Sequence, residues 1–197
     1  MDNRHLFELL NAGPGLDAWH LGVALFLAQG VVGLVALGWA WAWWRGSHAQ
    51  RVELLQLAAS VAAALLLAQA IEGLWPQPRP LALHLGTQYL DPAGRASLPN
   101  DHTVGLWALG LAALRSRRHG PLAFPLLTLG LLVGLSRVYL GVHFPYDIVA
   151  ALPVAAAGDF AAALAQPRLA GPLSRLASRV ERLERRLAAA LHGLRRH

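Results

Sequence analysis

Residues 19–44 read WHLGVALFLAQGVVGLVALGWAWAWW, a stretch without one Asp, Glu, Lys or Arg. A helix needs about 20 mostly apolar residues to cross a bilayer, so this run crosses despite His20 and Gln29, and the rest of the chain repeats the pattern. A second run covers 52–74, with one acid, Glu72, near its end. The third, 103–114, is short enough that one end sits below the headgroups. The fourth covers 121–140 with Pro125 in its first turns, and the fifth 145–165. The fold expected is all-α: a polytopic membrane helix bundle of about five transmembrane helices plus a C-terminal amphipathic helix.

Composition agrees. Of 197 residues, 55% are hydrophobic and 14% charged, too little charge to coat a soluble globule of this size. Cysteine is absent, which excludes disulfides and thiolate metal sites, and every basic residue other than histidine is arginine, which excludes lysine chemistry. The net charge of +6 calls for no nucleic acid, because the arginines flank the apolar runs or crowd the tail, as membrane topology demands. The start of the chain lacks the short apolar core and small-residue cleavage site of a signal peptide.

Arginine placement orients the bundle. Arg45 and Arg51, then Arg115, Arg117 and Arg118, then the tail, belong on the cytoplasmic side. That puts the N-terminus, the Pro-rich connection 75–100 and the turn around His143 on the other. The chain divides into a membrane-embedded domain, 1–166, and an Arg-rich amphipathic cytoplasmic tail helix, 167–197. Leu169, Leu173, Leu176, Val180, Leu183, Leu187, Leu191 and Leu194 form one apolar stripe on that tail. It reads as a helix lying on anionic headgroups, with a dimerising coiled coil, and hence a homodimer, as the alternative.

Three polar clusters stand at the ends of three spans: Arg79-Pro80, then Pro99-Asn100-Asp101-His102-Thr103, then Ser136-Arg137 followed by His143 and Asp147. Ionisable groups at membrane depth are costly, so several gathered on one face indicate a functional site. Arginine matches phosphate oxygens in bidentate geometry, which assigns Arg79 and Arg137 to an anion. Asn100 and Asp101 precede a helix whose free N–H groups suit the same anion. Asp147, four residues after His143, can reach back to one ring nitrogen and sharpen the other as a nucleophile. His102 then protonates the leaving oxygen and later activates water.

These clusters resemble the type 2 phosphatidic acid phosphatase family, whose signature is Lys-x6-Arg-Pro, Pro-Ser-Gly-His and Ser-Arg-x5-His-x3-Asp. The third part matches in full, from Ser136-Arg137 through His143 to Asp147. The resemblance implies a phosphatase with a His143 nucleophile oriented by Asp147, an acid at His102, and phosphate contacts from Arg79, Arg137 and Ser136, with no metal and no cofactor. Two positions depart: Glu72 stands where the family has lysine, and Asn100-Asp101 replace Ser-Gly. Pro-x-Asp-His-Thr and His-Phe-Pro-Tyr-Asp look like the bacterial undecaprenyl-diphosphate phosphatase branch. That implies a polyprenyl diphosphate substrate, cleaved to the monophosphate and phosphate on the extracytoplasmic face of a bacterial inner membrane. The alternatives are a phosphatase of phosphatidylglycerol phosphate, phosphatidate or a lipid A phosphate, and a catalytically dead lipid-binding or scaffold relative.

Overall fold

The computed structural model describes residues 2–91 and 96–194. Regular structure among them is helical throughout: α1 (Asn3–Leu10), α2 (Ala18–Leu25), a π-helical turn (Phe26–Gly30), α3 (Val31–Arg45), α4 (His48–Leu74), α5 (Asp101–Arg115), α6 (Ala123–Tyr139) and α7 (Pro145–Leu194), with single 3-10 turns at Leu81–Leu83 and Gly120–Leu122. Helices α2 and α3 continue through the π turn as one rod, Ala18–Arg45. That rod, α4, Gly120–Tyr139 and Pro145–Leu187 are each long and apolar enough to cross a membrane. This is a multi-pass membrane protein.

The third apolar run of the sequence is α5, of 15 residues. At 1.5 Å per residue it extends about 22 Å, less than the roughly 30 Å of hydrocarbon. It tolerates this because it is the enclosed helix, packed against α4, α6 and α7, with Val104, Ala108 and Ala112 almost fully buried. The outward faces carry Leu34, Leu37, Trp41, Leu66, Phe124 and Leu164, all exposed, as a lipid-facing surface should.

Small residues bring the helices together. Ala64 and Ala68 of α4 are buried completely against Ala151 and Ala155 of α7, and small side chains let membrane helices approach closely where lipid gives no hydrophobic drive. Gly134 of α6 works likewise: a Cβ there would stand 2.7 Å from Thr103 Oγ1 and 2.8 Å from Ile148 Cγ2. An alanine would push α6 off both α5 and α7.

The two ends of the bundle are held by different kinds of contact. At one end α1 lies under the 140–144 turn, with Phe7 fully buried and edge-on to Phe144 at 5.3 Å. Asn11 donates to the carbonyls of Thr87, at 2.9 Å, and Tyr139, at 3.0 Å, tying the N-terminus to the 75–100 connection and the end of α6. At the other end Glu53 pairs with Arg118 and His119, and Arg115 pairs with Asp159.

Helix α7 runs unbroken for 50 residues, through Pro153, Pro167 and Pro172, so no loop separates the fifth span from the tail. The tail's stripe is divided rather than uniform. Leu169, Leu173 and Val180 are half-buried, whereas Leu176, Leu183 and Leu187 are exposed; the side chains of Leu191 and Leu194 lie outside the described ones.

Candidate active site

The chain leaves α6 at Tyr139 and turns back into α7 within five residues. Gly141 makes this turn at φ +85°, a left-handed conformation that costs glycine nothing. The result drives His143 inward: it is 2% exposed and Asp147, one helical turn on, is 3% exposed. Asp147 Oδ2 accepts the Phe144 N–H at 2.7 Å, capping the start of α7, and lies 3.3 Å from His143 Nδ1.

A residue that the spacing does not announce completes this pair. The Ser97 carbonyl is 2.8 Å from His143 Nδ1, and the Ser97 hydroxyl donates to Asp147 Oδ2. Ser97 is fully buried. A carbonyl only accepts, so Nδ1 carries the ring proton. The other nitrogen, Nε2, stands 3.1 Å from Arg79 Nη1, which only donates, so Nε2 presents its lone pair. The tautomer is thus set by neighbours on both sides of the ring.

Arg79, flanked by Pro78 and Pro80, also donates from Nη1 to the Val142 carbonyl at 3.1 Å. Burial draws its guanidinium below the ordinary arginine value, and the charges of Glu72, Asp147 and Asp101 oppose that. Arg137 reaches from the last turn of α6 to the Ala28 carbonyl at 3.4 Å, inside the π turn, a distortion often found at functional sites. Burial lowers the His143 pKa first of all; the hydrogen bond and charge of Asp147 raise it, and Arg79 and Arg137 lower it further. Both guanidinium groups therefore share the field at the imidazole.

Asn100 caps α5, its Oδ1 accepting the Thr103 N–H at 3.0 Å, and its own N–H points to the Asp147 carbonyl at 3.3 Å. Asn100 Nδ2 and Arg137 Nε are buried and find no acceptor among the described residues. Buried donors are normally satisfied, so these two are positions where a further acceptor would fit, although Asp101 Oδ1 nearby is likewise buried without a donor.

His102 lies on the first turn of α5, within electrostatic reach of Arg137, His143 and Arg79. Asp101 beside it accepts from Gln69 of α4 at 2.9 Å. Glu72 acts on the Arg79 charge, so it borders the cluster. Of the residues singled out by sequence, Ser136 is the one held apart. Its hydroxyl donates to the Val133 carbonyl at 2.7 Å, the back-bond a helical serine readily makes, and its side chain lines a different cavity with Trp19, His20 and Tyr139.

An apolar groove of about 670 Å³ leads up to this cluster between α3, α4 and α5. Val32, Val35, Trp39, Val61 and Leu65 form its walls, and Gln69, Asp101 and His102 its polar end. Its lining is thus apolar along most of the groove and polar at one end.

Comparison with known proteins fits this arrangement. The PAP2 superfamily matches residues 53–169. The protein named "Putative undecaprenyl-diphosphatase YbjG" of Escherichia coli (strain K12) is 34% identical over 76% of this chain and 75% of its own. Undecaprenyl-diphosphatase BcrC of Bacillus subtilis (strain 168) is 32% identical over 76% of this chain and 78% of its own. In fold, the chain is similar to the crystal structure of Aquifex aeolicus LpxE, with a TM-score of 0.62 at 19% identity, covering 80% of this chain and 92% of that one. The matched segment starts in α4 and ends in α7, enclosing every polar group of the cluster, and this chain therefore belongs to the PAP2 superfamily as a multi-pass membrane phosphatase.

Proposed function

We propose that the chain removes the terminal phosphate of a polyprenyl diphosphate, with undecaprenyl diphosphate the favoured substrate, through a phosphohistidine on His143, without a metal, on the extracytoplasmic face of a bacterial inner membrane. The observation that carries this reading is the His143 ring: a proton fixed on Nδ1, a lone pair on Nε2, and Arg79 3.1 Å away to present phosphorus to it. The apolar groove ending at His102 supports a lipid substrate, and the two similar undecaprenyl-diphosphatases support the diphosphate.

In the first step Nε2 attacks the terminal phosphorus, forming a P–N bond as the bridging P–O bond breaks. The lipid monophosphate departs with a proton from His102. The imidazole, still protonated at Nδ1, becomes cationic, and the Asp147 carboxylate stabilises it. Arg79, Arg137 and the open Asn100 Nδ2 hold the three equatorial oxygens. Water then attacks phosphorus, giving its proton to His102; the P–N bond breaks and phosphate leaves, restoring neutral His143. A phosphate leaving group is a weak enough base that this scheme asks less of His102 than cleavage of a monoester would.

The test is phosphate release by purified protein from undecaprenyl diphosphate, phosphatidylglycerol phosphate and phosphatidate in detergent, with and without a chelator. Turnover of the diphosphate above both monoesters, unaffected by the chelator, is expected. Faster monoester turnover would move the substrate to a phospholipid, and lasting loss with the chelator would overturn metal independence.

Glu72 makes a prediction of its own. Arg79 and Arg137, with a protonated His102, face Asp147, Asp101 and Glu72, so the site offers an incoming phosphate no net positive charge. Two unit charges at a partly solvated site interact by a kilocalorie or more. Glu72→Lys should therefore lower KM for the diphosphate by about tenfold, with kcat little altered. An unchanged or higher KM in steady-state kinetics would remove Glu72 from the phosphate's field.

The pH profile tests Ser97. Neutral His143 and protonated His102 together give a bell-shaped kcat/KM. Because burial lowers the His143 pKa, the acid limb, where the nucleophile protonates, should fall below the ordinary histidine value of about 6.5. In Ser97→Ala the Asp147 carboxylate loses a donor and bonds the imidazolium more strongly, against the opposing charges of Arg79, Arg137 and any protonated His102. The limb should then move to higher pH while the Ser97 carbonyl still holds Nδ1. An acid limb that stays in place would show that the hydroxyl only fills space.

A further inference from the structure

The end of α7 carries a surface that the phosphate chemistry does not use. Beyond Asp159 the chain has two acids, Glu181 and Glu184, and both turn towards the bundle. Glu184 accepts from Arg51 Nη1 at 2.7 Å and from Trp43 Nε1 at 2.9 Å. Glu181 lies 3.0 Å from His48 Nδ1, whose other nitrogen is 3.1 Å from Ser174 Oγ. Ala177 is fully buried beneath them. These contacts clamp the tail across the turn between α3 and α4.

What remains outward is arginine and leucine. Arg175, Arg179, Arg182, Arg185 and Arg186 are exposed, as are Leu176 at 45%, Leu183 at 57% and Leu187 at 56%. At 3.6 residues per turn the three leucines fall within about 20° of one line, with Arg175, Arg179, Arg182 and Arg186 roughly 60–120° to one side and the clamped face to the other. An apolar line edged by guanidinium groups is how a helix sits at the boundary between acyl chains and headgroups.

We propose that this stripe docks on anionic phospholipid headgroups of the leaflet at the arginine-rich end of the bundle, with Leu176, Leu183 and Leu187 inserted and the flanking arginines on the phosphates. Charge complementarity selects that occupant. A second copy brought against the same stripe would set arginines against arginines, and the two glutamates that could pair with them are already held by Arg51 and His48. Basic residues near an anionic surface add their attraction, so four act together strongly.

The chain has no cysteine, so one spin label can be placed in the full-length protein. Leu183→Cys, labelled and set in nanodiscs, should be at least about threefold more accessible to oxygen relative to a water-soluble nickel chelate with phosphatidylglycerol than with phosphatidylcholine alone. A label at Arg185→Cys should stay open to the chelate in both. Replacing Arg175, Arg179, Arg182 and Arg186 by glutamine should abolish the lipid dependence at position 183. Equal chelate access at position 183 in the two lipids would overturn the proposal. Label–label broadening that grows with protein concentration would overturn it too, by placing a second copy on the stripe.

Discussion

His143→Asn should reduce phosphate release from undecaprenyl diphosphate by at least about 1000-fold and leave no phosphoenzyme to be trapped. The choice of asparagine isolates one atom. Its amide nitrogen can take the place of Nδ1 and donate to the Ser97 carbonyl, which in the wild type lies 2.8 Å from that nitrogen. Nothing in asparagine replaces Nε2, the atom beside Arg79. The buried turn therefore keeps its hydrogen bond, and the variant should elute and melt close to wild type, whereas an alanine would open a cavity in a site 2% exposed. Rapid quench with diphosphate labelled at its terminal phosphorus, followed by separation of protein at alkaline pH, measures both quantities. Activity within tenfold of wild type would remove His143 as nucleophile and with it the double-displacement scheme.

The helices and the placing of Asp147, Arg79 and Arg137 around His143 were legible because their signals are local. A span announces itself by unbroken hydropathy, and His143 to Asp147 by one helical turn. Ser97 was not, because it meets His143 and Asp147 across a separation of about 50 residues, and a serine in a Pro-rich connection has no periodicity to mark it. The same holds for Phe7. Its segment reads as mixed, yet the ring is fully buried against Phe144, so the start of the chain braces the turn that carries His143. The π turn at Phe26–Gly30 lies inside a run that hydropathy treats as uniform, and Arg137 meets it at the Ala28 carbonyl. Ser136 illustrates the opposite failure. Neighbouring Arg137 in sequence does not turn its hydroxyl to the same face of α6, where a carbonyl three residues back is the nearer partner.

The tail shows how tertiary contact redistributes a sequence pattern. Its leucine repeat, taken alone, describes one continuous stripe. Packing of Ala177 and the pairing of Glu181 and Glu184 with the α3–α4 turn select a neighbouring face for the bundle, so part of the stripe is covered and part left out. Residues that look like solvated charge in a helical wheel thus set which face is free. The prolines at 153, 167 and 172 do not end the helix, since packing can override the backbone preference they impose.

Asp147→Asn should lower kcat by about 100- to 10,000-fold with KM nearly unchanged. The reason lies in the ring's change of charge. In the resting site Nδ1 is nearer the Ser97 carbonyl, at 2.8 Å, than the Asp147 carboxylate, at 3.3 Å, so the carbonyl alone suffices to fix the neutral tautomer, and substrate still binds to Arg79 and Arg137. Once Nε2 bonds phosphorus the imidazole is cationic, and a full negative charge beside the buried Nδ1 becomes worth far more than an amide dipole. The loss therefore falls on the transition state and the intermediate, not on the ground state. It should also appear in the pH profile: without the carboxylate the His143 pKa drops further below its ordinary range, and the acid limb moves to lower pH, opposite in sign to the Ser97→Ala shift. Steady-state kinetics on the purified variant from pH 4 to 9 separates the two outcomes. A raised KM at unchanged kcat would assign Asp147 to holding the turn together through its bond to Phe144 N–H, and the stabilising charge would have to be sought elsewhere.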